Sequence, residues 1–579
     1  MKKKAWITVL VLAIAGAGVY WFVFRQNRNY PETILPENTA LYLIFPGLDH
    51  VRKEASDTLL WKRIAASPRK DLYRNQLERM MRFTESVVGV DPRPLLSQFT
   101  REVAVAVLPI TGNTQSGSLI AYVRKEKGTR EFLEMQMDPN LKRRFPDLKK
   151  TTVPYLDREY YKYSSAKFRE GVSPCYAFVD HHLLVTTSEV GMKVLFEVKS
   201  GKLQPLKKNR IFDGAKGEVH YKNGVLLFLN GRSLLDVLKN RLPVRAQSYW
   251  PAFMKVSGVE AVQGFTYRLG AEGEGFKEEG YVTMDPKREG FAKAYMQQQP
   301  QKLSGLSFLP ATSEAAGAGT LPDSVLVWKE IQAQIQGFLS GGQFSQLRSL
   351  IEFLTSLLTF NFERDLVEPI GRQFSFATDS SGTNPGQQPT RYFIALELKK
   401  PDHFRDLIEK LILLGQQRGL QRQAELYQGK TLQILDASAG GMNAVPALWI
   451  EGSWFYFGTA EDFVKQSIDA VKNKQTLPTN SDFKKVTTGF PAELNSISYT
   501  NTRATMRRYA AALQEQSNEA NRGWIREYGL IEEMNDLSNN LFGSGSYSVI
   551  EKDGIRYQSY SSVPTSFFLL PPVISVVMK

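Results

Sequence analysis

Few residues in this sequence have the types and the spacing that a chemical site requires. Gly429-Lys430-Thr431 resembles the end of a phosphate-binding loop, but Ala424 stands where that loop requires its first glycine. Short apolar segments flank the lysine, so we expect it at the turn of a β-hairpin. His181 and His182 would point to opposite faces of a strand and cannot hold one metal ion; we expect both at an exposed turn. The sequence therefore predicts neither a metal site nor a cofactor.

The only cysteine, Cys175, can form neither an intramolecular disulfide nor a metal site built from several thiolates. Apolar residues follow it directly (Tyr176-Ala177-Phe178-Val179), which indicates a buried structural thiol rather than a nucleophile. The chain is long enough to be stabilised by burial alone. Motifs that mark hydrolases, such as G-x-S-x-G and H-E-x-x-H, are absent from the sequence. We therefore predict a protein that binds or scaffolds and is not an enzyme.

One segment combines basic and aromatic residues densely enough to suggest a binding surface. Residues 142–170 contain nine Lys or Arg against four acidic residues, interleaved with four tyrosines. Such a surface suits anionic lipid headgroups, anionic glycans or an acidic envelope protein. The alternative is a solvated hairpin without a partner. The candidate binding residues are Lys142, Arg143, Arg144, Lys149, Lys150, Tyr160 and Tyr161.

The N-terminus carries an uncharged apolar segment, Ala5–Phe24. At about 1.5 Å per residue, a helix of this length spans about 30 Å, the thickness of one hydrocarbon core. Lys2-Lys3-Lys4 precede it and favour a cytoplasmic N-terminus. A cleavable signal peptide is the alternative, since Ala15-Gly16-Ala17 supplies small residues. The apolar run continues to Phe24, so we predict an uncleaved, single-pass anchor in a bacterial inner membrane, with the bulk of the chain periplasmic or extracellular.

The net charge of +14 is a pattern often associated with nucleic-acid binding. The predicted topology places the basic part of the chain outside the cytoplasm, so we expect no nucleic-acid partner. Anionic lipid, anionic glycan or an acidic protein fits this charge better. A soluble surface with surplus lysine is the alternative.

The sequence contains an internal repeat, in which residues of the first copy recur 271 to 274 positions later in the second. Leu35-Pro36 returns as Leu309-Pro310, for example. The period is far longer than that of a solenoid repeat, so it indicates a duplicated domain. We expect the repeated asparagines to cap helices and the repeated arginines to form local ion pairs, with a ligand role as the alternative. The polar residues kept in both copies are Arg93 and Arg364, Arg101 and Arg372, Asn230 and Asn501, and Arg232 and Arg503.

The order of elements within each copy predicts an α+β fold. Each copy has a strand, helices, strands, a helix, a hairpin, a helix, a strand, a helix and a final hairpin, which favours mainly antiparallel sheets with packed helices. We expect a signal anchor over residues 1–28, one α+β repeat over 29–286, a linker over 287–304 and a second repeat over 305–579. Two tandem homologous domains would also create a groove between them, a common place for a ligand.

Several of these features occur together in a known family. The L-P-x-x-T pattern at Leu35, the W-K-x-I patterns at Trp61 and Trp328, the N-terminal anchor and the two-fold repeat resemble the bacterial proteins grouped as domain of unknown function 3352. The resemblance covers nearly all of the chain after Tyr30. It implies an extracytoplasmic bacterial protein and supplies no activity and no catalytic residues.

We therefore expect a membrane-anchored, non-catalytic binding or scaffolding protein of the bacterial envelope. Two alternatives stay open. A carrier of lipid or another apolar ligand needs a large apolar cavity. An envelope hydrolase with a dispersed active site needs ionisable groups that converge in a polar pocket.

Overall fold

The computed structural model describes residues 31–68, 101–109, 115–123, 126–168, 170–219, 224–285, 289–338, 361–380, 390–436, 445–516 and 530–565, together with a few isolated positions. The structure is α+β and its strands pair antiparallel, as predicted. The chain divides into two compact units. Unit 1 comprises residues 1–48 and 84–213, and unit 2 comprises residues 49–83 and 214–579. The domain boundaries derived from the sequence repeat stay a prediction.

The strands and helices are numbered in chain order. The strands are β1 (Leu41–Phe45), β2 (Val103–Pro109), β3 (Gln115–Tyr122), β4 (Lys149–Tyr155), β5 (Arg158–Ser164), β6 (Cys175–Val179), β7 (His182–Thr186), β8 (Val225–Asn230), β9 (Val262–Glu272), β10 (Gly275–Met284), β11 (Ala315–Thr320), β12 (Ile370–Asp379), β13 (Arg391–Leu398), β14 (Gln421–Tyr427), β15 (Lys430–Asp436), β16 (Ala447–Glu451), β17 (Trp454–Gly458), β18 (Ser496–Thr500), β19 (Ser544–Glu551) and β20 (Gly554–Ser561). The helices are α1 (Leu48–Ser56), α2 (Leu59–Ala66), α3 (Glu126–Phe132), α4 (Asp138–Arg144), α5 (Glu189–Lys199), α6 (Arg210–Glu218), α7 (Gly231–Arg241), α8 (Val244–Ser257), α9 (Gly290–Met296), α10 (Ser324–Phe338), α11 (Pro401–Gln416), α12 (Glu461–Lys472), α13 (Ser481–Val486), α14 (Thr502–Gln516) and α15 (Leu530–Asn540).

Unit 1 contains an antiparallel sheet in the order β1–β2–β3–β7–β6–β5–β4. Successive residues of a strand point to opposite faces, and helices cover both faces. On one face, α3 continues through a π-helical turn, Leu133–Met137, into α4, and this segment packs against Tyr163 and Tyr176. On the other face, the ring of Phe196 in α5 lies 5.9 Å from that of Tyr160. The sheet of unit 1 is therefore sandwiched between helices.

Unit 2 contains an antiparallel sheet in the order β8–β9–β10–β20–β19–β18–β11–β12–β13–β17–β16–β15–β14. A large apolar core packs α12 and α13 against the part of this sheet that includes β11, β13 and β17. Phe393, Phe463 and Leu477 are fully buried in this core. Burying side chains of this size contributes about 1.5–3 kcal/mol each, which explains why the unit needs no disulfide.

The same strand pairings occur in both halves of the chain. The order β2–β3–β7–β6–β5–β4 in the first half corresponds to β12–β13–β17–β16–β15–β14 in the second. Individual contacts recur as well. Asn209 Nδ2 donates to the carbonyl of Glu37 at 3.0 Å, and Asn480 Nδ2 donates to that of Ala311 at 2.7 Å. The repeat in the sequence is thus matched by a repeat in local structure.

One helical segment differs from the sequence-based expectations. Residues 287–304, expected as a linker, contain α9. Ala294 and Met296 of this helix are buried, the latter in a small core with Ile550, so the segment is packed rather than extended.

The hairpin turns are mostly where the sequence places them. The predicted hairpin is confirmed, with Gln428 and Gly429 at its turn, both at positive φ angles. Lys430, expected at the turn, is instead the first residue of β15 and pairs with Glu451. The expectation for the histidine pair is half wrong. His181 is exposed at the turn, but His182 is buried in β7, where its Nδ1 lies 2.9 Å from the Asp180 carbonyl oxygen. Strand β7 therefore begins at His182, whereas the polar pair suggested that it begins after this residue.

Within the part of the chain that the structure describes, no helix has both the length and the apolar character needed to cross a membrane. The predicted anchor, Ala5–Phe24, lies outside the described residues.

Candidate functional site

The final hairpins of the two halves, β9–β10 and β19–β20, join edge to edge inside unit 2. β10 and β20 pair antiparallel, from Phe276 opposite Ser561 to Thr283 opposite Gly554. Glu279 lies opposite Gln558, and each is the fifth residue of its strand. Equivalent positions of the two halves therefore face each other, as they would at a two-fold axis. We call this β10–β20 pairing the seam.

Equivalent glycines begin both strands of the seam and allow close contact. A Cβ atom on Gly275 would lie 2.5 Å from a carbonyl oxygen of β20, and one on Gly554 would lie 2.4 Å from a carbonyl oxygen of β10. The ring of Tyr560 is beside Gly275, and the ring of Tyr281, its equivalent, is beside Gly554. Because any side chain would force the strands apart, both positions require glycine.

A pocket of about 360 Å³ opens on one face of the sheet beside the seam. Both halves of the chain contribute to it. Apolar atoms supply most of its exposed surface, and its polar groups are four carboxyl groups, one guanidinium, one phenol and one side-chain amide. The lining residues are Glu218, Glu279, Gly280, Pro491, Glu493, Tyr547, Val549, Glu551, Arg556, Tyr557 and Gln558.

Arg556 is held in the pocket by two carboxylates. Its Nε donates to Glu551 Oε1 at 2.8 Å, its Nη1 donates to the Glu218 carbonyl at 2.8 Å, and its Nη2 binds the Glu218 carboxylate. Burial alone would lower the pKa of Arg556, but the hydrogen bonds to Glu551 and Glu218 outweigh it and raise this pKa. The guanidinium stays charged and fixes the end of α6 against β19 and β20.

The remaining carboxylates of the pocket differ in their surroundings. Glu279 is buried, and its two oxygens lie 3.3 Å from Arg268 Nη1 and 3.2 Å from Lys277 Nζ. Glu493 is exposed and makes no ion pair with any residue that the structure describes. Glu493 is therefore the pocket carboxylate that is most accessible to a ligand.

One phenol completes the polar lining. Burial raises the pKa of Tyr547, so its hydroxyl stays protonated near neutral pH. The Tyr547 hydroxyl donates to Gln558 Oε1 at 3.1 Å. The pocket thus offers hydrogen-bonding groups together with the exposed carboxylate of Glu493.

The opposite face of the seam carries a buried carboxylate. Glu278 accepts hydrogen bonds from the Tyr267 hydroxyl at 2.8 Å, from Ser559 Oγ at 2.7 Å and from the Thr565 N–H at 2.9 Å. A buried charge is tolerated when several donors satisfy it. This carboxylate links β9, β10 and β20 to the chain that follows them, which is a structural role. Among the described residues, no group of three or more His, Cys, Asp or Glu side chains is arranged to hold a metal ion.

The predicted basic–aromatic segment is divided between the two faces of the unit 1 sheet. Tyr160 is fully buried, and its hydroxyl donates to Glu189 at 2.9 Å. Tyr161 is on the opposite face and stacks on Tyr176 with a ring separation of 4.7 Å. Adjacent strand residues alternate in direction, so the two tyrosines cannot form one surface.

The basic residues of the segment also differ from one another. Lys150 bonds Asp138 at 2.6 Å and lies 4.7 Å from the ring centre of Tyr161. It is therefore a structural residue, as is Tyr160. The exposed members of the predicted set are Lys142, Arg143, Arg144 and Lys149, at the end of α4 and the start of β4.

The asparagines shared by the two copies have the expected structural role. Asn230 caps α7 by accepting from the Ser233 N–H at 3.2 Å, and Asn501 caps α14 by accepting from the Ala504 N–H at 3.2 Å. Each asparagine thereby satisfies a backbone donor that the first turn of a helix leaves free.

The shared arginines differ in their contacts. Arg364 pairs with Asp365, and Arg503 lies 3.4 Å from Asp482. Arg101 lies over the ring of Tyr122 at 4.5 Å, and Arg232 is exposed on α7. Arg372 lies within β12, 3.9 Å from Asp323, and lines a smaller pocket of about 130 Å³. Arg93 lies outside the described residues.

Sequence reasoning missed the residues of the seam pocket. The charged run Lys277-Glu278-Glu279 within a strand is the signal that points to them, because charged residues are rare in the centre of a sheet unless they are paired. The sequence could not show that Arg556 lies nearby, since the strands that bring the residues together are far apart in the chain.

Comparisons with known proteins give one family. Residues 339–525 match the model of a family described as "Protein of unknown function (DUF3352)". The predicted family resemblance is confirmed over these residues. None of the curated proteins is similar to the sequence.

Among solved structures, two crystal forms of TP0453 are similar to parts of the chain. Crystal form III is 11% identical with a TM-score of 0.24, and the alignment covers 46% of this chain and 83% of TP0453. Crystal form IV is 12% identical with a TM-score of 0.23, covering 43% and 79%. TM-scores this low establish neither a shared fold nor a shared function.

Proposed function

We propose that this protein is a membrane-anchored, non-catalytic binding protein of the bacterial envelope, built from two tandem homologous α+β domains. The recurring strand pairings and the pairing of equivalent residues at the seam support the duplication. The observation that carries the binding role is the pocket beside the seam, because both halves contribute polar groups to it. Pockets where duplicated modules meet are common ligand sites.

We propose further that the ligand is polar and carries positive charge. Four carboxyl groups line the pocket against the guanidinium of Arg556, and that guanidinium is already bound by two of them. Glu279 is already paired with Arg268 and Lys277, so an added cation would interact chiefly with the exposed Glu493. The lining favours a polar ligand over a lipid, which would leave these charges buried without partners.

A binding measurement with a short basic peptide tests this proposal. Fluorescence anisotropy of a labelled tetralysine peptide would be followed as the full chain, in detergent, is added. We expect Glu493→Gln to weaken binding about tenfold, because a charge-assisted contact contributes about 1.5 kcal/mol. Glu134→Gln makes the same charge change at an exposed position of unit 1 and serves as the matched control.

Equal weakening by both substitutions would show that the peptide responds only to overall charge and would contradict a site at the seam. The same conclusion would follow from binding that survives Glu493→Gln unchanged. Raised salt should weaken binding to the wild-type chain, because an exposed carboxylate is screened.

The location outside the cytoplasm is tested by cysteine labelling. The native Cys175 is buried, and burial raises its pKa to about 12, so it reacts poorly with maleimides in the folded chain. Lys149→Cys adds an exposed thiol. We expect a membrane-impermeant maleimide to label this variant in intact spheroplasts. Labelling only after lysis would refute the proposed topology, and the mass of the mature protein would show whether the N-terminal segment is retained.

A further inference from the structure

Helix α8 of unit 2 exposes three large apolar side chains, and two of them, Tyr249 and Phe253, are one turn apart on the same side. Exposed fractions are 84% for Val244, 73% for Tyr249 and 54% for Phe253. Trp250, whose ring centre is 5.7 Å from that of Phe253, is half-buried beside them. The other side of the helix packs against α9 and α10, with Met254 buried. A cluster of aromatic side chains in this position requires an explanation, because soluble surfaces rarely expose contiguous apolar patches.

The charge of the surrounding chain is one-sided. Residues 237–259 contain Lys239, Arg241, Arg245 and Lys255 and no Asp or Glu. Arg245 is exposed on the helix, one turn before Tyr249. Arg245 is therefore on the same side as Tyr249 and Phe253, and α8 itself carries no acidic residue.

The corresponding part of the second copy lacks this bias. With an offset of 271 residues, it covers residues 508–530, where Glu515, Glu519 and Glu527 are mixed with the arginines. The basic, aromatic surface of α8 is therefore not required by the fold that the two copies share. It distinguishes the first copy.

We infer that α8 docks onto an anionic lipid surface, with Tyr249, Trp250 and Phe253 in the interfacial layer and Arg245 against the headgroups. Aromatic side chains favour this layer, where the ring is in an apolar environment and the polar atom contacts water. Basic residues on the same helix are attracted by anionic headgroups. Charge complementarity selects an anionic bilayer over an uncharged one, and the absence of acidic residues disfavours a basic protein partner.

This surface is separate from the seam pocket. The inference rests on the proposed function in one respect, since the membrane anchor would hold α8 beside a bilayer. The α8 surface is also separate from the surface that residues 142–170 suggest, where Tyr160 is buried. The two proposals can fail independently.

Bromolipid quenching tests the docking. Single cysteines at Tyr249→Cys and Phe253→Cys would be labelled with an NBD fluorophore in the full chain, reconstituted into vesicles of zwitterionic lipid with or without anionic lipid. Leu426→Cys provides the matched control, because Leu426 is 75% exposed on β14 of the same unit. The wild-type chain, with its buried Cys175, is the labelling blank.

We expect quenching by bromolipids at positions 249 and 253 on anionic vesicles and none at position 426. Arg245→Gln should require about fivefold more anionic lipid for half-maximal quenching at position 253, since one base near an anionic surface contributes about that factor. Arg418→Gln, an exposed base on unit 2, should leave it unchanged. Flotation of the chain with purely zwitterionic vesicles measures membrane attachment by the N-terminal anchor alone, without docking of α8.

Absence of quenching at both α8 positions on anionic vesicles would overturn the inference. Equal quenching at position 426, or equal quenching on purely zwitterionic vesicles, would overturn it as well. A blue shift at position 249 without bromolipid quenching would identify a protein contact instead, and would also overturn it.

Discussion

The seam makes a quantitative prediction about two glycines. Gly275→Ala and Gly554→Ala each introduce a Cβ atom within 2.5 Å of a carbonyl oxygen on the facing strand. Gly280→Ala is the matched control in the same strand, because its Cβ atom would meet its nearest neighbour, the Phe265 ring, at an ordinary 3.5 Å. We expect the first two substitutions to loosen the seam and the third to be tolerated.

The size of the effect follows from the overlap. A carbon atom normally approaches a carbonyl oxygen no closer than about 3.3 Å, so the strands have to separate by roughly 0.8 Å at each site. Overpacking of this kind costs about 1–3 kcal/mol. Amides that exchange by local opening of the seam should then exchange about 5 to 150 times faster, since about 1.4 kcal/mol corresponds to a factor of ten.

Hydrogen exchange read by mass spectrometry on peptides that cover β10 and β20 measures this directly. Faster exchange in both strands after either substitution, with β14 and β15 unchanged, is the expected result. If Gly280→Ala accelerates exchange as much as Gly554→Ala, the close contact at the strand ends is not the cause. Wild-type exchange in Gly554→Ala would show that the seam does not pair as described.

Three further predictions follow from single groups in unit 1. Hydrogen bonds from Lys162 and Lys193 lower the pKa of Glu189 to about 2 from an ordinary value of 4.5. The contribution of Glu189 to the free energy of unfolding is therefore complete above about pH 4.5 and is lost as the pH falls toward 2. Glu189→Gln should flatten the acid side of the profile of urea-unfolding stability against pH, and an unchanged profile would argue against these ion pairs. Burial lowers the pKa of His182 below its ordinary 6.5. The free energy of unfolding should therefore decrease as the pH falls through about 6.5, and His182→Gln should remove that decrease. A decrease of the same size in the variant would show that another group causes it. Cys175 should react with maleimide only in urea, at the concentration that unfolds unit 1, and rapid labelling of the native chain would contradict its burial.

Local patterns predicted the elements well. The alternation of apolar residues identified hairpins such as β6–β7 and β16–β17, because a strand exposes side chains with a period of two. The turn predicted at His181 is also confirmed, and His181 adopts a positive φ angle there, as does Asp180. Strand and helix preferences act over a few residues, so they are visible in the chain itself.

Contacts between distant strands were not predictable in the same way. The pocket requires β10 to lie beside β20, and the apolar pattern of each strand shows which face it buries but not which strand becomes its neighbour. The arrangement of the basic–aromatic segment was hard to predict for a simpler reason, and its role as a binding surface stays a prediction. Tyr160 and Tyr161 follow the same alternation that separates His181 from His182, so proximity in sequence placed them on opposite faces of the sheet.

Helix α8 shows that apolar periodicity alone does not determine whether a side of a helix is buried. Tyr249 and Phe253 are four residues apart, a spacing that is typical of a buried helical stripe. The structure turns this side outward, because α9 and α10 cover the opposite side instead. Only the arrangement of neighbouring helices distinguishes a stripe that is buried within the chain from one that is available to a bilayer.

The pairing of Glu279 with Gln558 has an evolutionary consequence. If one copy of the domain formed a homodimer through this edge, symmetry would place the same side chain on both sides of the axis, and two glutamates there would repel each other. Fusing the copies into one chain removes that constraint, because each half can change alone. A carboxylate on one side can then face a neutral amide on the other, and a pocket on the axis can become asymmetric. Gene fusion thus permits a binding site that no symmetric ancestor could have contained.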